Sequence, residues 1–314
     1  SHGEGKGGAR LASAYFPAAP THGRSTRAPA MGRRGMVASA HPYATQAGLD
    51  VLKDGGNAFD AAVAVASTLN VVEPYMSGVG GIGLALLYVA KEKRSRVLNF
   101  SGRAPSRATP AEFTEKTKET GPRSPLVPGN VAGWLEMHGK YGRLPRKRLF
   151  RDAAEYAQHG VPLTPFNAEM LRLSWPLLTR FGTTKKSFLS GAKTPSPAGA
   201  LFRQQGLAAS MSAIAEGGAR VFYEGAIARK IVSTMKQGDG LITEDDLGEY
   251  RPEWQEPVTA DYRGFEVRTT PPNSSGFQIL ETLNILGGFK KLEYGTAATL
   301  HVLMESVKLA AADR

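Results

Sequence analysis

The spacing of apolar residues in the first ordered part of the chain predicts two consecutive helices. Apolar residues recur at helical spacing through residues 44–52, and the glycine pair at 55–56 predicts where the first helix ends. Asn57 can cap the second helix, and Asp60 lies in its first turn. Residues 58–69 are apolar almost all round the predicted helix, so we expect this helix to be buried on several sides.

A glycine-rich corner and two flanking runs predict a β-hairpin after these helices. The corner spans residues 77–83, and the runs at 84–90 and 96–100 enclose a charged turn. The corner matches the dinucleotide fingerprint GxGxxG by letter, but that fingerprint follows a strand and opens a helix. Here a helix precedes and a strand follows, so we exclude a dinucleotide site. We expect the glycines to allow close approach of a ligand or a second chain.

The rest of the chain is predicted to be mostly helical, with strands returning near its end. Helical patterns cover residues 110–118, 131–140, 147–159, 166–178, 208–215, 223–236, 277–286 and 297–312, and strand patterns cover residues 258–262 and 265–270. Thr243 and Asp246 have the spacing of a capping box that opens a short helix. This order of elements predicts an α+β fold with mixed layers rather than a repeated βαβ series.

The most distinctive local sequence is Pro-Pro-Asn-Ser-Ser-Gly at residues 271–276, between a predicted strand and a predicted helix. Its two prolines fix φ and remove two amide donors. Asn273, Ser274 and Ser275 can bond to the next backbone amides or cap the helix. We expect a stiff corner whose amides point at one spot, and an ordinary helix start is the alternative.

Composition is typical of a globular protein, with 41% apolar and 21% charged residues. The net charge of +11 is concentrated near the N-terminus, because residues 1–35 carry six basic residues against one acidic residue. We predict that residues 1–35 form a flexible basic leader that includes a tag remnant. A second basic cluster at residues 143–151 is interpreted as a solvated face or a partner contact, and we predict no nucleic-acid binding.

Several classes of site are excluded by what the sequence lacks. The absence of cysteine excludes disulfides and thiolate nucleophiles and leaves the redox compartment open. No apolar run reaches 18 residues, so we predict no membrane span. The histidines show no metal-ligand spacing and are interpreted as structural, and Asp60, Glu73 and Asp261 as capping or surface carboxylates. We therefore predict no metal and no cofactor.

Arg103 is the candidate binding residue. It follows the second hairpin strand, just past the point where the glycine corner feeds the first strand. The planar guanidinium of an arginine at a strand end can bind a carboxylate with two hydrogen bonds. A surface ion pair is the alternative for a single arginine.

The order of several motifs resembles the large chain of the gamma-glutamyltranspeptidases and their acylase relatives, in the N-terminal nucleophile (Ntn) hydrolase superfamily. The motifs are MVASAHPYATQAGLDVLKDGGNAFDAAVA, NVVEPYMSGVGGIG, VPGNVAGW with KYGRLP, VFYEGAIA, GLITEDDL, DYRGFEV, PPNSSG and HVLMESVKLAAADR. The resemblance covers residues 36–314 and leaves out residues 1–35. It identifies residues 36–314 as a single large-chain domain that a separate small chain completes.

The resemblance implies a four-layer αββα sandwich, of which this chain supplies the large-chain half. It also implies a precursor that cuts itself, so that the new N-terminal threonine of the small chain is the nucleophile and its α-amino group the base. We therefore expect no catalytic residue in this chain, a heterodimer with the small chain, and a small-molecule γ-glutamyl or acyl-amide substrate. The Gly-Thr-Thr sequence at residues 182–184 is similar to the family's cut site, but it precedes PPNSSG and lacks the following histidine. We interpret it as a loop.

The resemblance also implies a role for the segment that holds Arg103. In typical transpeptidases the corresponding strand ends in Phe-Arg-Glu, and that arginine binds the α-carboxylate of the glutamyl group. Here Phe100 is followed by Ser101 and Gly102, and Arg103 comes two places later. A shift of two residues keeps the face of a strand but moves the side chain by roughly 6–7 Å. We predict that Arg103 binds the substrate. The alternative is a pocket that suits another acyl group.

Three functions follow from the resemblance. The first is transfer or hydrolysis of a γ-glutamyl group from glutathione-like amides. The second is a related amidohydrolase with altered acyl specificity, similar to cephalosporin acylases or oxamate amidohydrolases. The third is a non-catalytic scaffold of the same fold. The resemblance favours a periplasmic or secreted protein and leaves a cytoplasmic one open.

Overall fold

The computed structural model describes residues 29–189 and 193–314. Residues Val37–Arg314 form one compact unit. Before this unit in the chain, the described residues 29–36 form neither helix nor strand. The predicted leader, residues 1–35, lies largely outside the described residues, so its flexibility stays a prediction.

Helices dominate the described chain. They are α1 (Pro42–Lys53), α2 (Ala58–Val72), α3 (Asn130–Tyr141), α4 (Arg146–His159), α5 (Pro165–Leu178), α6 (Gly182–Leu189), α7 (Gln205–Gly217), α8 (Ala219–Tyr223), α9 (Ala226–Gln237), α10 (Glu244–Gly248), α11 (Gly276–Gly287) and α12 (Ala297–Ala312). None of the helices in the described residues is both long enough and apolar enough to cross a membrane.

The strands form small antiparallel sheets. They are β1 (Gly83–Val89), β2 (Arg94–Phe100), β3 (Val161–Pro162), β4 (Leu201–Phe202), β5 (Glu253–Gln255), β6 (Val258–Tyr262) and β7 (Phe265–Thr269). One sheet has the order β1-β2-β5, and the pairs β3-β4 and β6-β7 form two further sheets. The predicted hairpin is confirmed, with Gly83 opposite Phe100 and Val89 opposite Arg94.

The core is built around α2, which packs on α1, α3 and α4, while α4 packs in turn on α7. The prediction that this helix is buried on several sides is confirmed, since Val63, Ala64 and Val71 have no exposed surface. Leu149 and Phe150 of α4 are equally buried. Burial of a Val, Leu or Phe side chain contributes about 1.5–3 kcal/mol, so these contacts stabilise the layer of helices on which the sheet rests.

The N-terminus of α2 is held by a buried carboxylate. Asn57 and Asp60 form a capping box, as their spacing predicts. Asp60 also accepts hydrogen bonds from the backbone N–H groups of Arg143, at 3.0 and 3.1 Å, and of Leu144, at 3.4 Å. Its side chain is completely buried, so the capping interpretation is confirmed and the surface alternative is wrong. The carboxylate joins α2 to the loop between α3 and α4.

Two predicted elements are wrong, and the start of a third is displaced. Residues 110–118 form only a 3-10 turn, Pro110–Glu112, followed by turns. Residues 182–184 begin helix α6 instead of forming a loop. The helix predicted at 223–236 begins at Ala226, because α8 ends at Tyr223 and a short turn separates the two. In the first two cases the local pattern is weak, and packing against the rest of the chain decides the structure.

Two arginines of the basic cluster at residues 143–151 have partners within the fold. Arg146 donates to the carbonyl oxygens of Ala215, at 2.9 Å, and Glu216, at 2.7 Å, near the C-terminus of α7. Arg148 contacts the carboxylates of Asp54 and Asp152. Cations near a helix C-terminus and beside carboxylates stabilise the fold locally, so these charges have structural partners within the chain.

Helix α1 begins at an unusual cap, which predicts a pH-dependent stability. His41 is buried, and its Nδ1 accepts a hydrogen bond from the backbone N–H of Tyr43 at 3.2 Å. Burial lowers the pKa of His41 below its ordinary value of 6.5, and the nearby Glu73 carboxylate opposes that shift. The unfolded chain therefore binds more protons than the folded chain below pH 6.5. We expect the free energy of unfolding to decrease as the pH falls through and below this value.

Denaturant unfolding between pH 8 and pH 5, values chosen to span roughly the histidine range, measures this effect. His41→Asn keeps an acceptor at the cap and is expected to flatten the pH dependence. His159→Asn, which replaces an exposed histidine at the end of α4, is the matched control and is expected to leave the pH dependence as it is. Equal pH dependence in the His41 variant and the parent protein would contradict the assignment.

Candidate functional site

The end of β2 is held against the start of α3 by close backbone contacts. An added Cβ on Gly129 would lie 1.9 Å from the carbonyl oxygen of Phe100, and one on Gly133 would lie 2.2 Å from the Phe100 ring. Real Cβ atoms do not approach so closely, so only glycine fits at these two positions. The strand end is therefore placed rigidly on the first turn of α3.

The glycine corner before β1 is part of the same contact. The carbonyl oxygen of Gly81 accepts hydrogen bonds from the backbone N–H groups of Gly129 and Asn130, at 2.9 and 3.0 Å. The side chain of Asn130 donates to the Gly78 carbonyl oxygen at 2.8 Å. The glycine corner does allow close approach, as predicted, and the segment that approaches it is the start of α3 of the same chain.

Two buried tyrosines support the turn that follows β2. Tyr223 donates to the carbonyl oxygen of Pro128 at 2.8 Å and accepts from the backbone N–H of Ala132 at 3.1 Å. Tyr250 stacks on Tyr223, and its hydroxyl accepts from the backbone N–H of Gly102 at 3.4 Å. Burial raises the pKa of both phenols, so they stay neutral and serve as hydrogen-bonding supports at physiological pH.

Arg103 lies at the surface directly beyond this support. Its carbonyl oxygen accepts from the backbone N–H of Val127 at 2.9 Å, which aligns the two segments as an isolated bridge. Its Nη2 donates to Oε1 of Glu253 at 2.9 Å. The two side chains are 55% and 57% exposed, so the pair is open to solvent and to a ligand. Glu253 lies opposite Asn99 in the pairing of β5 with β2.

The Pro-Pro-Asn-Ser-Ser-Gly segment turns the chain from β7 into α11. The Ser274 hydroxyl accepts from the backbone N–H of Gly276 at 3.2 Å, which confirms that a serine bonds to a following amide. Ser275, at the N-cap, makes no side-chain capping bond. The N–H of Ser274 bonds to the Pro271 carbonyl oxygen at 3.2 Å. The amides of Ser274 and Gly276 therefore have separate acceptors inside the corner, and the prediction that the corner's amides point at one spot is wrong for these two.

The third residue of this corner reaches the end of β2. The Asn273 amide nitrogen donates to the Ser101 hydroxyl at 2.6 Å, and its amide oxygen accepts from Asn99 at 3.1 Å. The Ser101 hydroxyl in turn donates to Oδ1 of Asn99 at 2.7 Å. We call these three side chains the amide–hydroxyl ring. The ring joins the corner to the strand end beside Arg103.

The sequence predicts some of these residues and not others. Local patterns indicate Arg103 and the corner at residues 271–276, and the structure brings their segments together. Glu253 and Asn99 were missed, because Glu253 is 150 residues from Arg103 and Asn99 is 174 residues from Asn273. The available signal was strand alternation, which places Asn99 and Ser101 on one face. In residues 29–189 and 193–314, no three His, Cys, Asp or Glu side chains are grouped to hold a metal.

Comparison with known proteins identifies relatives of the whole compact unit. The Glutathione hydrolase-like YwrD proenzyme of Bacillus subtilis (strain 168) is 40% identical over 289 residues, which cover 90% of this chain and 55% of that protein. The chain spans about half the length of the curated relatives it matches.

Solved structures show the same fold. The gamma-glutamyltranspeptidase of Helicobacter pylori superposes with a TM-score of 0.88 at 33% identity, over 91% of this chain and 85% of that chain. A cephalosporin acylase from Bacillus halodurans superposes with a TM-score of 0.80 at 36% identity, over 92% of this chain and 57% of that chain. These likenesses confirm the predicted fold class, α+β of the Ntn-hydrolase type.

The sequence pattern of one family covers most of the chain. The gamma-glutamyltranspeptidase family matches residues 44–314, which include the glycine corner, the end of β2 and the corner before α11. The resemblance drawn from the motifs is confirmed. The chain belongs to the gamma-glutamyltranspeptidase family.

Proposed function

We propose that this chain is the large chain of a self-processing amide hydrolase or acyltransferase, which acts with a small chain cut from the same precursor. The observation that carries the proposal is the family match over residues 44–314 together with coverage of about half of relatives named as proenzymes. The proposed donor is an amide with a γ-glutamyl or similar acyl group, as in glutathione.

Unpaired surfaces in the described residues support a second polypeptide. Strand β1 is at the edge of its sheet, with Leu86 and Tyr88 44% and 62% exposed. The β6–β7 hairpin forms a sheet of two strands, and such a hairpin is only marginally stable alone. Helix α12 exposes several large apolar side chains, namely Leu300, Leu303, Met304, Val307 and Leu309. Large exposed apolar faces of this kind are typical of an obligate interface.

The proposed chemistry divides between the two chains. The N-terminal threonine hydroxyl of the small chain attacks the substrate carbonyl carbon and gives its proton to the α-amino group. The amine leaves with a proton as the acyl–threonine ester forms, and hydrogen-bond donors stabilise the oxyanion. Water or a second amine then takes the acyl group and restores the hydroxyl. The large chain supplies binding groups for the acyl moiety.

Arg103 is the proposed carboxylate ligand of that acyl moiety. Its guanidinium has five N–H donors, and the hydrogen bond to Glu253 uses one nitrogen, Nη2. A substrate carboxylate can therefore bind the guanidinium beside Glu253 or replace it. The exposure of both side chains supports access from solvent.

A related acylase with altered acyl specificity is the second candidate. It is favoured by the segment in which Ser101 and Gly102 follow Phe100, in place of an arginine directly after the phenylalanine. The likeness to the Bacillus halodurans cephalosporin acylase is compatible with that reading.

The test is expression of the complete precursor, followed by intact-mass measurement and N-terminal sequencing of every chain that copurifies. We expect a smaller second chain that begins with threonine, and release of p-nitroaniline from acyl p-nitroanilides by the purified complex. Replacing that threonine with alanine is expected to abolish both cutting and activity. An active preparation that contains this chain alone would overturn the two-chain proposal, and an inactive uncut protein would favour a scaffold.

A further inference from the structure

A cavity with a volume of about 200 Å³ lies between helices α5 and α6. The turn that follows α2 contributes Pro74 and Tyr75 to its wall, α6 contributes Phe188, and β4 contributes Phe202. Protein interiors are packed so closely that voids larger than a water molecule are few. The walls of an empty cavity lose the contacts that a guest would supply, so a cavity of this size favours an occupant.

The lining of the cavity is largely apolar and partly aromatic. Leu163 and Phe202 are buried side chains of this lining. The ring centroids of Phe188 and Phe202 lie 5.9 Å apart. Met170 adds a thioether, which makes favourable contacts with aromatic rings. Because paired aromatic rings gain energy beyond the burial of their area, this lining favours an aromatic guest over an aliphatic one.

Most of the polar groups in the lining already bond within the chain. The Tyr75 hydroxyl donates to Oδ1 of Asn167 at 3.0 Å, and Nδ2 of Asn167 donates to the Val72 carbonyl oxygen at 2.8 Å. Ser174 is the third polar residue of the lining. An ordered buried water makes about two to four hydrogen bonds. A largely apolar molecule therefore satisfies this cavity better than water does.

Every described residue that lines the cavity is uncharged. Three other hollows in the described part of the chain are each lined by at least two lysine or arginine residues. A charged molecule that enters an uncharged, apolar cavity loses its hydration without gaining a counter-charge from the walls. The lining therefore favours a neutral guest.

The volume of the cavity sets the size of the guest. A cavity of about 150 Å³ lined by leucine, isoleucine and phenylalanine binds benzene. The cavity beside α5 is somewhat larger, at about 200 Å³, which leaves room for a small substituent on a single ring. Leu177 belongs to the lining and is 42% exposed, so the cavity can be entered from the surface.

We propose that the cavity between α5 and α6 is a binding site for a neutral molecule with a single aromatic ring and a small substituent. The inference goes beyond the proposed amide chemistry and does not depend on it. It rests on the volume of the cavity and on the chemistry of its walls.

The test measures the binding of four probes, by ligand-observed NMR titration, to protein purified from the complete precursor. Benzyl alcohol is the neutral aromatic probe, benzoate and benzylammonium are its charged counterparts, and cyclohexylmethanol is its aliphatic counterpart. We expect benzyl alcohol to bind at least about tenfold more tightly than either ion, because the walls do not replace the hydration of a charge. We expect it to bind about two- to tenfold more tightly than cyclohexylmethanol, because of its aromatic contacts.

Substitutions that fill the cavity test where the probe binds. Ser174→Phe adds a ring to the lining and is expected to weaken the binding of benzyl alcohol by about tenfold or more, since the space is then occupied. Ser212→Phe, at an exposed serine of α7, is the matched control and is expected to bind benzyl alcohol as the parent does. Ser174→Leu adds less volume, so it provides a second variant if the phenylalanine prevents folding. Thermal unfolding without the probe checks that each variant is folded.

A crystal of the parent protein soaked with 4-bromobenzyl alcohol locates the site without any substitution. The anomalous signal of bromine is expected among Leu163, Phe188 and Phe202. Absence of bromine from the cavity, or benzyl alcohol that binds no better than the ions or cyclohexylmethanol, would overturn the proposal. Folded Ser174→Phe or Ser174→Leu variants that bind as tightly as Ser212→Phe would do the same. Release of p-nitroaniline by the same preparation tests the proposed function separately.

Discussion

Arg103→Ala is expected to lower kcat/KM for a carboxylate-bearing acyl donor by roughly 10–150-fold, because a hydrogen bond between charged groups contributes about 1.5–3 kcal/mol. Arg103→Lys is expected to recover little, since a point charge does not replace the planar guanidinium. Folding is expected to change little, because an exposed ion pair such as Arg103–Glu253 contributes about 0–1 kcal/mol to stability. Steady-state kinetics and thermal unfolding of the same preparations measure both effects.

Two comparisons separate substrate binding from a structural role of Arg103. A donor without the carboxylate is expected to respond weakly to either substitution. Glu253→Gln removes the partner's charge and keeps its shape, so it is expected to retain activity if Arg103 binds substrate. Equal losses in Arg103→Ala and Glu253→Gln, on donors with and without the carboxylate, would place Arg103 in a structural ion pair.

Asp60→Ala is expected to reduce the free energy of unfolding by about 3–4 kcal/mol, because it removes the buried acceptor of several backbone N–H groups. These groups belong to Asn57, Arg143 and Leu144. The hydrogen bonds that are lost hold the start of α2 to the loop that follows α3. Urea unfolding monitored by tryptophan fluorescence measures it, since Trp134 lies buried in α3.

A second aspartate in a neighbouring helix provides the matched control. Asp50 in α1 accepts from Gln46 and Lys53 on the exposed side of the helix, at 2.7 and 3.0 Å. Asp50→Ala is expected to cost less than about 1 kcal/mol, because solvent replaces these bonds. If Asp60→Ala and Asp50→Ala have similar effects, the buried carboxylate does not hold the junction.

Much of the helical part of the fold is predictable from the sequence, because its signals are local. The capping boxes that begin α2 and α10 involve residues three positions apart, and the structure forms both. The prediction at residues 110–118 fails because a weakly helical segment without a strong apolar stripe depends on its surroundings. Residues 182–184 show the opposite error, because they form the start of a helix where the sequence predicts a loop. Their local pattern is also too weak to decide the structure.

The candidate site depends on contacts between residues that are far apart in the sequence. The sequence by itself determined the family, the two capping boxes, the hairpin and the two segments that carry Arg103 and Asn273. Only the tertiary structure decided that Arg103 meets Glu253, 150 residues away, and that Asn273 closes a ring with Ser101, 172 residues away. Caps and periodic patterns act over one or two turns of chain, whereas these contacts depend on strand pairing and on a corner packed against a strand end. Their chemistry therefore becomes visible only when the chain is folded.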